Sequence, residues 1–163
     1  MPVTLQYVDQ SVWEADAQKR LDLERIYQDA PQERIANSAT RFIEQHLAAG
    51  HCFACALFNE RLLGAVVVEV VPDAWWLSQL CVRKTTRRRG VGTRLMALMA
   101  DRAAEERRVL RIATRSLPFA DRVLLSKLGY RPVATSSPAA ATSEAMNSVD
   151  ESDYVELVPQ GKE

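Results

Sequence analysis

The sequence has no net charge. Its 21 lysines and arginines are matched by 21 aspartates and glutamates, so nothing draws the whole chain to phosphate polymers or anionic lipid. Any basic patch must be local. A long apolar run is also missing: the longest, Ala65 to Val71, is interrupted by Glu69 and is far too short to span a bilayer. Met1 to Gln6 have neither the basic end nor the apolar stretch of a signal peptide, and a soluble cytoplasmic protein is the expectation. Cysteine is scarce and odd in number. Cys52, Cys55 and Cys81 point to free thiols in a reducing compartment rather than a disulfide framework. No internal repeat is visible. What is present, 47% hydrophobic and 26% charged residues over positions 1–163, suits one domain with an ordinary core and leaves no room for a second.

Val3 to Val8 alternates as a first strand, and the next segment carries Trp13, Ala17, Leu23, Ile26 and Tyr27 at roughly helical spacing. Pro31 is read as opening a helix whose apolar stripe is Ile35, Ala39, Phe42, Ile43 and Leu47, with Gly50 where a C-cap is wanted. Cys52 to Phe58 and Leu62 to Val71 read as two strands joined by a tight hairpin at Asn59, Glu60 and Arg61. The second is nearly all apolar and is expected to be central. Pro72 and Asp73 turn the chain into a fourth strand, Trp75 to Val82.

From there the pattern becomes helix, strand, helix. Val91, Leu95, Leu98, Met99 and Ala103 form one stripe of a helix running to about Glu106, Val109 to Thr114 is a short strand, and Ala120 to Leu128 is a helix stopped by Gly129. Ser136 to Ser152 is rich in serine, alanine, threonine and acids without periodicity, which predicts a mobile loop joining the strands of a last hairpin that ends at Tyr154 to Val158.

Leu80 to Thr93 carries the chemistry, because it passes from a strand end through a basic, glycine-containing loop into an amphipathic helix. A helix start leaves amide N–H groups unpaired and carries about half a positive charge, so it is ready for an anion. Gly90 and Gly92 remove side chains that would keep a phosphate from the backbone. Arg87, Arg88 and Arg89 add charge with forked donors suited to phosphate oxygens. Three arginines before a helix also read as a plain solvated basic loop. A dinucleotide fingerprint needs a third glycine where Leu95 stands, and no Gly-Lys-Ser/Thr occurs for a P-loop. Nucleic acid would want interleaved aromatics, which this stretch lacks.

At these residues the chain resembles the GNAT superfamily of acyl-CoA-binding N-acetyltransferases, whose pyrophosphate loop Q/R-x-x-G-x-G/A is matched by Arg87 to Gly92. The strand ending Leu80, Cys81, Val82 and the later Leu128, Gly129, Tyr130 fall where that superfamily places them. The resemblance implies an α/β fold with a mixed, mostly antiparallel sheet, flanked by helices and splayed open beside the fourth strand. It implies acetyl-CoA as co-substrate or signal ligand, held by Leu80, Cys81 and Val82 along its pantetheine arm and by Thr86, Arg87, Arg88, Arg89, Gly90, Val91, Gly92 and Thr93 around its pyrophosphate.

Within the superfamily, Phe58 to Leu63 together with Thr86 to Gly92 is similar to the PanZ/PanM acetyl-CoA-sensing subfamily, and Asp22 to Tyr27 matches it in style. Two functions stay open. The superfamily implies an N-acetyltransferase acting on an unidentified small-molecule amine or protein acceptor. The subfamily implies a catalytically weak sensor that binds aspartate decarboxylase and promotes its maturation.

Catalytic residues are not evident. Many superfamily enzymes place a proton-donating tyrosine four residues before the glycine of the last helix, a position held here by Leu125, while Tyr130 after the glycine reads as core. Glu69 and Asp73 are the carboxylates nearest a base position, against the plainer reading of a solvated acid and a turn former. Cys52 and Cys55 form one CxxC within a strand, where their side chains face opposite ways, so core thiols are expected and no metal site. His46 and His51 have no evident acid or cysteine partner. Of Trp75 and Trp76 one must face inward, and the other is a candidate wall for an acceptor groove.

Overall fold

A computed structural model describes residues 3–30, 38–87, 89–114, 119–133 and 154–159. β1 (Thr4–Val8) leads through Asp9, whose carboxylate accepts from the Val12 amide at 3.0 Å, into α1 (Gln10–Ala15). Asp16 then ends α1 and caps α2 (Ala17–Gln28), accepting from the Lys19 amide at 3.1 Å. The segment read from its apolar spacing as one helical stretch is thus two helices, because a second capping aspartate offers the backbone a partner and restarts the winding. α3 (Ala39–Ala48) is capped by Ser38, whose Oγ accepts from the Arg41 amide at 3.2 Å. Pro31 and Ile35, expected at its opening, lie outside the described residues. Gly50 follows the C-cap with φ +90° and the His51 amide donates back to the His46 carbonyl at 3.0 Å, a closure that needs a left-handed residue.

β2 (Cys52–Phe58) and β3 (Arg61–Val71) are joined by Asn59 and Glu60 alone, at φ 51° and 65°. Two left-handed central residues match the twist of the flanking strands, and Arg61 belongs to β3 rather than to the turn. β4 (Ala74–Val82), a 3-10 turn (Lys84–Thr86), α4 (Val91–Glu105), β5 (Leu110–Ala113), α5 (Phe119–Lys127), β6 (Arg131–Val133) and β7 (Tyr154–Leu157) complete the order. The seven strands among the described residues form one sheet, β1-β2-β3-β4-β5-β7-β6. Every neighbouring pair is antiparallel except β4 with β5, which α4 links as a crossover. β6 and β7 pair as the expected last hairpin; the Ser136 to Ser152 stretch lies outside the described residues.

β3 is central, as its apolar run required. Val66 and Val68 join a core under α4 with Trp75, Leu95, Met99 and Leu110, while Leu62, Ala65 and Val67 join a second core under α1 to α3 with Leu23, Ile26, Ile43 and Phe53. A strand buried on both faces has no polar position to alternate with. Cys52 packs toward the first core and Cys55 lies in the second, so the CxxC sulfurs face apart, and burial raises the Cys52 thiol to about 11. All three cysteines are free.

The two histidines do have partners, contrary to the sequence reading. The tight turn at Gly50 brings His46 Nδ1 within 2.8 Å of His51 Nδ1, and His51 Nε2 lies 3.8 Å from the Glu69 carboxylate. Burial, and secondarily the neighbouring imidazole, hold His46 below the ordinary value of 6.5 against the pull of Glu69. An unfolded His46 takes its proton near that ordinary value while the folded one resists, so stability from this site is complete above about pH 6.5 and is lost as pH falls through the window beneath it. Thermal unfolding from pH 8 to pH 5 should show this slope in the wild type and a flatter one in His46→Gln.

Candidate functional site

Only Trp75 with Leu110 and Trp76 with Arg111 register β4 against β5, so among the described residues the sheet opens beyond Trp76. Along its other edge β4 is irregular. Val67 faces Ser78 and Ala65 faces Cys81, which leaves Gln79 and Leu80 together opposite Val66. This is a β-bulge, and Gln79 takes φ 54° to make it. The Tyr27 hydroxyl donates to the Gln79 carbonyl at 2.8 Å and holds that backbone in place. The bulge changes which way the strand end faces. Leu77 and Cys81, four apart, would share a face in a regular strand, but Leu77 lies in the core under α4 and Cys81 in the one under α1 to α3. Cys81 donates its S–H to the Ile26 carbonyl at 3.2 Å, so it can serve a ligand only through its backbone.

The loop after β4 is tied down from one side. The Lys84 amide and the Arg83 Nε both donate to Asp29 Oδ2, at 2.8 and 3.3 Å. Arg87 donates through Nη2 to the Asp29 carbonyl at 2.8 Å and through Nε to the Val82 carbonyl at 3.1 Å. Of the three arginines expected around a phosphate, Arg87 is therefore a brace of the loop, Arg89 is exposed, and Arg88 lies outside the described residues. Thr86 bonds the Arg83 carbonyl through its hydroxyl and its amide.

α4 then starts on Gly90, whose φ of +81° is a left-handed turn into the helix, with no side-chain cap and no acid in the first turn. Val91 is buried beneath. A Cβ on Gly92 would rest at 3.4 Å from Val82 and 3.9 Å from Leu80, which brings the helix start and the strand end together. Gly64 makes that approach possible: a Cβ there would stand 3.2 Å from Val82 and 3.3 Å from Val91. Nothing in the sequence singled out Gly64, because its role lies in contacts across three elements. The structure thus brings the end of β4, at Leu80 and Val82, against the start of α4 at Gly92, with exposed Arg89 just before the helix.

The catalytic positions are less furnished. Leu125 is 5% exposed and packs in the core under α4 beside Tyr130, whose amide donates to the Leu125 carbonyl at 3.0 Å. Tyr130 is 1% exposed, its hydroxyl has no partner among the described residues, and burial pushes its ionisation up, so it remains a protonated core phenol. Glu69 is half exposed beside His51, and Asp73 is an exposed turn residue 3.5 Å from Arg111. Trp75 is buried. Trp76 faces the other way, 5.0 Å from the Tyr154 ring with the Arg111 guanidinium over both. Among the described residues there is no metal-binding cluster, and no helix is long and apolar enough to cross a membrane.

An open, mostly antiparallel sheet with one parallel β4–α4–β5 joint is the fold of the GNAT acetyltransferases. The structure of an aminoglycoside 6′-acetyltransferase type Ii matches with a TM-score of 0.66 over 98% of this chain and 99% of that one, at 16% identity. An aminoglycoside 6′-N-acetyltransferase complexed with coenzyme A gives 0.64 over 98% of each chain, at 15% identity. The family model described as an acetyltransferase (GNAT) domain, PanZ, matches residues 6–126, and the chain belongs to that family. A PanD regulatory factor of Salmonella typhimurium is 33% identical over 115 residues, 63% of this chain and 83% of that protein. One from Escherichia coli K12 is 32% identical over 114 residues, 63% and 82% of the two chains.

Proposed function

We propose that the chain binds acetyl-CoA and uses it as a signal, as a regulator of aspartate decarboxylase rather than as an efficient acetyltransferase. One observation carries this reading: α4 starts on a left-handed Gly90 with no side-chain cap and no acid in its first turn, which suits a phosphate, whereas position 125, where a transferase would hold its thiol-protonating tyrosine, is a buried leucine. The pyrophosphate is assigned to the segment Thr86 to Thr93, chiefly the backbone at the start of α4 with exposed Arg89 beside it, and the pantetheine arm to the backbone of Leu80 to Val82 in the opening beside β5. The similarity to two PanD regulatory factors supports the partner.

Transfer of the acetyl group to an unidentified amine is the second reading, favoured by Trp76 and Glu69, cross-strand neighbours on the sheet face that Trp76 shares with Arg111. There the amine would attack the thioester carbonyl, the C–S bond would break, and the amine proton would have to reach the departing thiolate. General acid help of that kind is worth about 10²–10⁴ in rate, and Leu125 supplies none.

The test is association by size-exclusion chromatography. Aspartate decarboxylase should co-elute with this protein when acetyl-CoA is present and separate when it is absent, with no CoA thiol released from a panel of amines and peptides. Rapid thiol release with any acceptor, or indifference of the complex to acetyl-CoA, would replace the first reading.

A further inference from the structure

The last turn of α2 reaches the proposed cofactor site at three successive levels. Ile26 accepts the Cys81 S–H, the Tyr27 hydroxyl donates to the carbonyl of the left-handed Gln79, and Asp29 gathers the Lys84 amide and the Arg83 and Arg87 guanidiniums. The Tyr27 hydroxyl and the Asp29 carboxylate are not needed to hold the helix itself: a helix C-terminus needs its carbonyls satisfied, not its side chains extended to a strand and a loop. What the side chains determine is the path of β4 and of the loop after it.

Gln79 at φ 54° occupies a region unfavourable for a residue with a Cβ and persists only where surrounding contacts fix it. The Tyr27 hydroxyl is such a contact, and the ring that carries it is locked between Phe42 at 4.8 Å and Phe53 at 5.6 Å, with the residue 2% exposed. Without that bond the bulge is less well held, and with it the facing of Leu80 to Val82. Asp29 acts one step further on. Its carboxylate accepts a main-chain N–H of the loop, and its own carbonyl holds the guanidinium of Arg87, so it fixes where the loop stands relative to the start of α4.

We propose that Tyr27 and Asp29 are positioning residues for acetyl-CoA, Tyr27 setting the strand end that takes the pantetheine arm and Asp29 setting the loop that takes the pyrophosphate. This rests on the cofactor reading above, and it divides the ligand in two. Tyr27 governs the arm and Asp29 the nucleotide end, although neither side chain touches the ligand.

The experiment titrates wild type, Tyr27→Phe and Asp29→Ala with acetyl-CoA and with ADP, which has the pyrophosphate but no pantetheine, by isothermal calorimetry, alongside thermal unfolding of each. Phe keeps the ring contacts and removes only the hydroxyl. Tyr27→Phe should bind acetyl-CoA about tenfold more weakly and ADP as wild type does, whereas Asp29→Ala should weaken both about tenfold, in the range of one lost hydrogen bond. A merely structural role would lower the two affinities of Tyr27→Phe together or leave both unchanged, and either result overturns the assignment. So would a wild type that binds acetyl-CoA but not millimolar ADP, since the loop would then be no independent cradle. If wild type binds neither ligand, it is the cofactor reading that fails.

Discussion

Gly92→Glu is expected to leave the fold standing and to abolish the rise in melting temperature that acetyl-CoA gives the wild type. A ligand at a hundred times its dissociation constant stabilises the native state by about 2.7 kcal/mol, which for a chain of this size is a rise on the order of 5–10 °C. Gly92 is the second residue of α4, and a Cβ there makes ordinary contact with Val82 and Leu80, so the backbone tolerates a side chain. A carboxylate in the first helical turn even suits the helix dipole. What it does not suit is a second anion. The new charge stands among the amides assigned to the pyrophosphate, and the ligand must then overcome both repulsion and lost space. Gly92→Ala, which adds bulk without charge, should keep most of the shift. Gly90→Glu should also abolish binding but with a loss of basal stability, because φ +81° strains any residue with a Cβ. A Gly92→Glu protein whose melting temperature rises with acetyl-CoA as in wild type would remove the start of α4 from the site.

The contrast between these two glycines shows where the sequence was informative. Glycine before an apolar stripe and after a basic run marks a helix start from local rules alone, and Arg87 to Gly92 fell at one. The hairpin at Asn59 and Glu60 and the central placing of β3 were legible for the same reason, since turn chemistry and an unbroken apolar run are written over a few neighbouring residues. The brace around the site was not. Tyr27 meets Gln79 from 52 residues away, and Asp29 meets Lys84 from 55. Neither aspartate nor tyrosine at the end of a helix announces a distant strand. The bulge left no trace either, because β4 carries apolar residues on both faces on either side of Ser78 and Gln79, so the reversal of facing between Leu77 and Cys81 exchanges one apolar residue for another. Asp16 could have been read as a cap, but apolar spacing ran through it and outweighed it. His46 and His51 met because Gly50 turns the chain between them, a geometry that a search for acid or cysteine partners passes over.

Asp22→Ala should lower the melting temperature by about 5–10 °C, corresponding to roughly 2–3 kcal/mol. Asp22 lies inside α2 at 1% exposure, where a carboxylate is costly unless it is fully bonded. It is. Arg61 reaches it with Nε at 3.0 and 3.1 Å and Nη2 at 2.7 Å, the Leu62 amide donates at 3.1 Å, and the Gln18 side chain donates at 2.9 Å. Burial is the strongest single influence on the carboxyl and favours its neutral form. The bonds from Arg61, Leu62 and Gln18 together outweigh it and hold the group below the ordinary value of 3.8. The position of these donors explains the size of the effect. Leu62, the second residue of β3, faces Leu57 beside the point where the β2–β3 register shifts between Ala56 and Leu57, so removing the carboxylate strands a buried main-chain donor at an already irregular place. The Arg61 share is small by comparison, because its side chain is 45% exposed and water replaces the lost partner. Asp22→Asn, which keeps an acceptor, should fall between wild type and Asp22→Ala. The pH dependence has a definite sign. A carboxyl depressed in the folded state contributes fully above its unfolded value near 3.8 and is lost as pH falls beneath it, so the gap between wild type and Asp22→Asn should be constant from pH 7 to pH 5 and close in stronger acid. Chemical denaturation across that range measures it. An Asp22→Ala protein as stable as wild type at pH 7 would mean that the Leu62 amide finds water when the carboxylate goes, and that the bond between α2 and the hairpin contributes to orientation without contributing to stability.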